Sequence, residues 1–407
     1  MKPVYILESV RTPRAKAKES GGLHDLNPFE LLDSLYKFYS TNAIVDPDNL
    51  EEVILGCVTQ YGEQAGNIAK SSALYSQYPD HVSGLSINRF CSSSLDAINI
   101  GYLKIASGQN NIIMAGGIEM MSRVPMLSDK AAIWTNVNIA KKSRIFMMGS
   151  GADLIASVNK ISRLDADTQA LSSQKKAVYA QKNGHFKSIV PVFNPQKDFV
   201  CAEDECIRAE TTMENLSSLN PSFEELGKNG VDALQLKYFP QLSEIVHIHT
   251  AGNSPAMSDA ASITLLSSSS SSASSDYRSR GIIKAVSVVS ANPLLVLSGC
   301  IEATKQLLIK NNLTIKDWPT IEQRSISNTF GWYAGYGRLG FVSRIDLTSK
   351  LRSYFSSKLS AKKLEPNEER IDRLLLGVSA PRNIMASRFA LFLLRKLDRT
   401  PACWESG

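Results

Sequence analysis

The sequence predicts an α/β fold containing a parallel βαβ unit, and three observations carry that expectation. First, residues 84–115 read strand, helix, strand. Gly84 to Phe90 is extended. Cys91 to Gly108 places Leu95, Ile98, Tyr102 and Ile105 near one helical face, at i, i+3, i+7 and i+10. Asn111 to Ala115 is a strand closed by Gly116-Gly117. A unit of this kind, about thirty residues long, is a parallel βαβ crossover. Second, Ile282 to Ser290 is strand-like and Ile301 to Lys310 helix-like, a weak echo of the first half that suits an internal duplication. Third, 407 residues exceed one small domain and suit two to three packed units.

The remaining elements follow in order. Pro3-Val4-Tyr5-Ile6-Leu7 reads as a buried strand, Phe29 to Tyr39 as a helix and Glu52 to Gly56 as a short strand. Residues 125–250 are more polar and mixed, and read as a large excursion from the sheet. Ser267 to Ser275 is serine except for Ala273, a run that cannot pack a core and reads as a surface connection. The expected units are therefore an N-terminal half (1–125), an excursion or loop domain (126–250), a return segment with the serine-rich linker (251–275) and a C-terminal half (276–407).

Composition excludes several classes. Apolar residues at 43% and charged residues at 21% are near the soluble average, so disorder, collagen and coiled coil are out. The run Phe389 to Leu394 falls far short of the ~20 residues that span a bilayer. A net charge of +6 is mild over this length and permits anionic ligands, with no Lys/Arg run of the nucleic-acid type. Six cysteines without paired C-x-x-C spacing argue against structural zinc and for a reducing compartment. No secretory leader is expected at the start, and Glu405-Ser406-Gly407 does not match a peroxisomal tripeptide.

Cys91 is the candidate nucleophile. It follows a strand and opens a helix, where unpaired N–H groups and the helix dipole favour a thiolate. The same N–H groups can hold a carbonyl oxygen as it gains charge, and Ser92, Ser93 and Ser94 are small enough to admit an acyl group. The plainer alternative is a buried, inert cysteine. His247 and His249, two apart beside Thr250-Ala251-Gly252-Asn253-Ser254, suggest a metal pair or a base, with a surface strand or loop pair as the plainer reading. Tyr238, Phe239 and Leu242 lie in a stretch that reads as a partner-binding insertion. Trp332, Tyr333 and Tyr336 suit either closure of an acyl pocket or ordinary packing.

These residues stand in segments that resemble a known family. Asn88-Arg89-Phe90-Cys91-Ser92-Ser93-Ser94-Leu95 resembles the nucleophile segment of thiolases, the acetyl-CoA acyltransferases. So do Val53 to Gln60 with Gly62-Glu63-Gln64, Ala115-Gly116-Gly117-Ile118-Glu119-Met120-Met121-Ser122-Arg123-Val124-Pro125, and Met148-Gly149. The likeness continues through Ile189 to Val192, Asp204-Glu205-Cys206-Ile207-Arg208, Thr250 to Ser254 and Ser258-Asp259, and includes Ser9 to Pro13. The resemblance implies a five-layered α-β-α-β-α sandwich of two similar halves plus a loop domain. It implies a coenzyme A thioester as ligand, with no other cofactor and no metal. Cys91 matches the nucleophile that takes the acyl group. Arg208 matches a residue near the adenine–phosphate end of CoA, and Ser254 one near the pantetheine arm.

The second half departs from the family pattern. Where the family carries G-H-P, Arg338 stands at the His position, and no histidine follows residue 249. Gln323-Arg324-Ser325-Ile326-Ser327 replaces the N-E-A-F motif, and no cysteine lies near Leu376 to Arg382, where the family has C-x-G; Cys403 lies too near the end to replace it. Arg cannot act as a base, and losing members of a cooperative set costs orders of magnitude in rate. The expectation is that condensation and thiolysis are lost and the chain serves as a structural or accessory subunit. It would form a homo- or hetero-dimer with a thiolase-fold chain, within a larger organellar assembly, with no nucleic acid and no membrane span. A mitochondrial location is expected, with peroxisomal or cytoplasmic as alternatives. Two other functions stand beside this one: an active acyl-CoA acyltransferase or thioesterase using Cys91 with rebuilt acid/base groups, and a non-catalytic CoA-binding module.

Overall fold

The computed structural model describes residues 1–270 and 279–312, together with the backbone of 388–395. Its strands are β1 (Val4–Arg11), β2 (Ala15–Lys16), β3 (Glu52–Gly56), β4 (Ser83–Ile87), β5 (Ile112–Met120), β6 (Val192–Asn194), β7 (Phe199–Cys201), β8 (Ser258–Ser267), β9 (Gly281–Ser290) and β10 (Arg388–Arg395). The main sheet runs β10-β9-β1-β8-β5-β3-β4, with β2 paired to β8. β4 and β5 both run parallel to β3, so the expected crossover is present with β3 between its two strands. β8 lies antiparallel between β1 and β5, which makes the sheet mixed rather than parallel.

Gly116 and Gly117 do not close β5; the strand runs through them to Met120. A Cβ on Gly116 would overlap the Ser262 carbonyl oxygen of β8. Glycine here serves close backbone approach inside the sheet, not chain termination.

Helices cover both faces of the sheet. The helix Pro28–Thr41 starts on a capping box: Asn27 Oδ1 accepts the Glu30 N–H at 3.0 Å and the Glu30 carboxylate accepts the Asn27 N–H at 2.7 Å. Its Leu31, Leu32, Leu35, Tyr36 and Tyr39 are buried in a core with Leu7, Val53, Leu55, Met114 and Ile263, which the helix Ile68–Tyr75 extends. The helix Ser93–Ser107 belongs to a second core. There Leu95, Ile98, Tyr102 and Ile105 meet Val4, Ile54, Ile113 and Leu266 of the sheet, along with Val289 of β9 and Leu307 and Leu308 of the helix Gly299–Lys310. Eleven of its fifteen residues are buried, so this is an interior helix, not a surface one. Outer helices, sheet and central helices are three successive layers of the expected sandwich.

Between Met120 and Ser258 the chain leaves the sheet and forms the excursion, which carries the helices Met148–Asn159 and Arg163–Lys182 and the hairpin β6–β7. Phe146, Leu154, Ile155 and Ile245 of the excursion share a core with Leu294, Val296 and Leu297. Phe239 and Leu242 pack on that core, while Tyr238 is exposed beneath the Arg144 guanidinium at 5.9 Å. Two of the three residues read as partner anchors therefore serve the interior. Among the described residues no helix is long and apolar enough to cross a membrane.

The join between sheet and central helix is tight. A Cβ on Gly56 would overlap the backbone carbon of Ser93 and nitrogen of Ser94, and one on Gly117 would overlap Ser94 Oγ. The helix start therefore rests on bare backbone at the ends of β3 and β5. Gly56→Ala should destabilise the protein by about 2 kcal/mol or more, since the obstacle is backbone and not a flexible side chain. Urea unfolding checks this: the midpoint should fall at unchanged slope. An unmoved midpoint would mean that the helix start has room to shift.

Candidate active site

Cys91 lies not in the helix but two residues before its first turn, in a tight link between β4 and Ser93. Phe90 adopts the left-handed conformation, with φ of 49°. For a bulky residue that costs on the order of 1–3 kcal/mol and persists only where the surroundings impose it. Here they do. Asn88 Oδ1 accepts the Phe90 N–H at 2.8 Å, and Asn88 Nδ2 donates to the Val58 carbonyl at 3.0 Å. Ser93 Oγ accepts the Arg89 N–H at 2.7 Å and donates to the Phe90 carbonyl at 2.6 Å. Ser92 Oγ donates to the Arg89 carbonyl at 3.0 Å. Arg89 Nε pairs with Asp96 Oδ2 at 2.6 Å, one turn further along the helix.

The serines thus staple the turn. The N–H groups of Ser92 and Ser93 donate to the carbonyls of Arg89 and Phe90. The Cys91 side chain is half-buried, and its Sγ stands 4.0 Å from Met148 Sδ, at the start of the helix Met148–Asn159.

A buried carboxylate supports the turn from below. Glu119 accepts the N–H groups of Val58 and Thr59 and the Gln64 amide at 2.9, 3.2 and 2.8 Å. Burial lifts its carboxyl above the ordinary range, although these donors oppose the shift. Gln64 Oε1 in turn accepts the Met120 N–H at 2.6 Å. The nearby Cys57 thiol is buried and pushed well up by desolvation, so it is no rival nucleophile.

Arg208 and Ser254 come together. The Arg208 side chain is exposed, and its Nη2 donates to the Gly252 carbonyl at 3.1 Å, two residues from half-buried Ser254. The loop is fixed by Asn253, fully buried, whose Nδ2 donates to Asp167 Oδ1 and the Ile248 carbonyl at 2.8 and 3.0 Å. Asp204, four residues before Arg208, takes both Arg11 Nη atoms at 2.7 and 2.8 Å and the Arg14 N–H at 2.8 Å. Burial would raise the Asp204 carboxyl, but the charge and hydrogen bonds of Arg11 outweigh it and hold the group below its ordinary range. This pair ties the end of β1 to the segment that carries Arg208.

The two histidines are not a surface pair. His249 is fully buried, and its Nδ1 meets Asp153 Oδ1 at 2.5 Å. His247 Nδ1 lies 2.9 Å from Asp153 Oδ2 and Nε2 lies 2.9 Å from Asp232 Oδ2. The N–H groups of Ile248 and His249 also donate to Asp153 Oδ1, at 3.1 and 3.2 Å. With carboxylates on both ring nitrogens, His247 is not available as a base. Its hydrogen bond to Asp153 is the main cause that lifts its pKa to about 9. Burial would raise Asp153, yet the two imidazoles outweigh it and hold the carboxyl low. Sequence reasoning missed Asp153; the signal was a lone charge in the otherwise uncharged helical run Met148 to Asn159. Among the described residues no group of three or more His, Cys, Asp or Glu side chains is arranged to hold a metal.

The thiolase N-terminal domain family matches residues 4–234, more than half of the chain. The chain belongs to the thiolase family. It is 32% identical over 345 residues to the 3-oxoadipyl-CoA/3-oxo-5,6-dehydrosuberyl-CoA thiolase of Escherichia coli (strain K12), covering 79% of this chain and 80% of that protein. It is 32% identical over 324 residues to the 3-ketoacyl-CoA thiolase of Erwinia tasmaniensis, covering 78% of each. Among solved structures, the crystal structure of the Bacillus anthracis acetyl-CoA acetyltransferase superposes with a TM-score of 0.66 at 26% identity, over 81% of this chain and 82% of that one. The fold is the thiolase fold.

These relatives overturn the expectation that condensation and thiolysis are lost and that the chain is a structural or accessory subunit. They are named thiolases, and they match at about 30% identity over nearly four-fifths of the chain. Nothing among the described residues positively indicates a loss of catalysis or a structural role. The altered stretches at 321–340 and 376–382, Arg338, Trp332, Tyr333 and Tyr336 included, lie outside the described residues, as does Cys403.

The His247 clamp predicts a pH dependence. Its folded pKa of about 9 lies above the ordinary 6.5. Its contribution to stability is therefore complete below pH 6.5 and lost as pH rises through about 9. Thermal unfolding midpoints across that window should fall faster for the wild type than for His247→Gln; parallel curves would show that the imidazolium adds nothing.

Proposed function

We propose that the chain is an acyl-CoA acyltransferase of the thiolase type in which Cys91 is the acyl acceptor. The observation that supports this reading is the stapled turn at Asn88–Ser93, which holds a half-buried cysteine beside a strained left-handed residue. Cys91 Sγ, as thiolate, attacks the thioester carbonyl. The carbon–sulfur bond to CoA breaks, CoA leaves as its thiolate and takes up a proton, and the acyl group stays on Cys91 as a thioester. A second nucleophile then takes the acyl group and restores the thiol.

The CoA end of the substrate falls to the Arg208–Ser254 loop. The exposed Arg208 guanidinium offers donors in a fork that suits phosphate, and the Ser254 hydroxyl suits a pantetheine amide. A dimer with a second thiolase-fold chain and a mitochondrial location belong to the same reading.

Exposure of the pure protein to acetyl-CoA and to longer acyl-CoA, followed by intact-mass analysis, should show one added acyl group. Cys91→Ala should abolish it, and Arg208→Ala should raise the half-saturating acyl-CoA concentration by about tenfold, as for loss of a charge-assisted contact. No adduct on Cys91 at any chain length would sink the proposal.

A further inference from the structure

The helix Met148–Asn159 joins the two parts of the site. Its first residue, Met148, touches Cys91, and Asp153, in its second turn, grips the chain that leads into the Thr250–Ser254 loop. Asp153 makes that grip with both oxygens: Oδ1 takes two backbone N–H groups and the His249 ring, and Oδ2 takes His247.

His247 extends the grip to a third segment, because its other nitrogen meets Asp232 on the helix Asp232–Tyr238. A neutral imidazole has one N–H, so it cannot donate to two carboxylates at once; the geometry requires the imidazolium. Several titratable groups among the described residues face this ring. Asp153 and His249 lie on one side and Asp232 on the other, while Glu224 contributes at longer range and is itself paired with Lys228 at 2.7 Å. Gly227 closes the site, since a Cβ there would stand 2.6 Å from His247 Nε2.

We propose that His247, bridging Asp153 and Asp232, is a positioning residue for coenzyme A binding: it locks the segment 247–254, and with it Ser254 and the Gly252 carbonyl that Arg208 holds, to the helix beside Cys91. The proposal rests on the acyl-CoA reading for its ligand, but not on turnover. Loss of the ring proton breaks one of the two His247 hydrogen bonds and loosens the loop, which the Asp153 bonds to Ile248 and His249 still hold in part, so CoA binding weakens at alkaline pH. The consequence is a site whose grip on its substrate is set by one proton away from the reacting sulfur.

Calorimetric titration of the full chain with CoA, from roughly pH 6 to 10, tests this. The wild type should bind with an affinity that falls about tenfold as the ring deprotonates, the cost of ordering a loosened loop. The midpoint of that fall should lie at about 9. Asp232→Asn keeps the shape and one hydrogen bond but removes a charge, so its midpoint should drop by about 1 pH unit. His247→Gln should bind more weakly at pH 7 and lose this step. CoA's own titration is common to all three proteins and cancels in the comparison. A role in folding alone would lower the fraction of competent protein, and so the stoichiometry, without moving the midpoint. Coincident pH profiles for wild type and Asp232→Asn would overturn the proposal, as would a wild type that binds no CoA. A wild type that binds CoA with these profiles but forms no adduct on Cys91 would refute the acyl-transfer reading and leave this one standing.

Discussion

The site depends on how closely a helix can approach a sheet. The first turn of the helix Ser93–Ser107 lies directly on the backbone at the ends of β3 and β5, where Gly56 and Gly117 have no side chain to hold it off. That contact fixes where the preceding residues must go. The chain has only a few positions between the end of β4 and the seated helix, and it bridges them by turning Phe90 left-handed. The turn leaves the Cys91 side chain half-buried. The hydroxyls of Ser92 and Ser93 and the amide of Asn88 then supply the hydrogen bonds that a left-handed phenylalanine requires.

The same logic explains why the family-like segments occur together. Glu119 at the end of β5 carries the loop after β3, and Asp259 in β8 accepts both the N–H and hydroxyl of Ser122 at 2.9 and 2.6 Å. Asp204 joins Arg11 to the segment of Arg208. Glu119, Asp204 and Asp259 are buried, and each is spent on a neighbouring segment. They are the polar joints of an otherwise apolar sandwich, and each joint satisfies backbone donors that the sheet leaves over.

Much of this was legible in the sequence. The apolar period of Leu95, Ile98, Tyr102 and Ile105 identified the central helix, and Val53 to Gly56 the central strand, because burial on a regular element leaves a repeating pattern. The glycines were misread: Gly116-Gly117 looks like punctuation in one dimension, and only the neighbouring β8 backbone shows it to be clearance. The helix start was misplaced by two residues because nothing local distinguishes Cys91-Ser92 from a first turn; the stop comes from hydrogen bonds of Ser93 to residues before it. Cys91, Arg208 and Ser254 could be named as candidates because each stands in a distinctive segment. Asp153 and Asp232 could not, since their partner His247 is distant in sequence and contact at that range leaves no periodic trace. The inference of lost activity came from residues 321–340 and 376–382, and the likeness of nearly four-fifths of the chain to proteins named as thiolases overturns it.

The position of β8 has a consequence for how the molecule is made. β1 leaves the ribosome long before its partners in the sheet, β8 and β9, which begin at residues 258 and 281. β5 likewise has one side bare until β8 arrives. More than half of the chain must therefore be synthesised while two strands rich in isoleucine, leucine and methionine keep open edges. Such edges recruit other chains. The whole excursion is an interval of vulnerability during translation, which ends when β8, beginning at residue 258, can slot in.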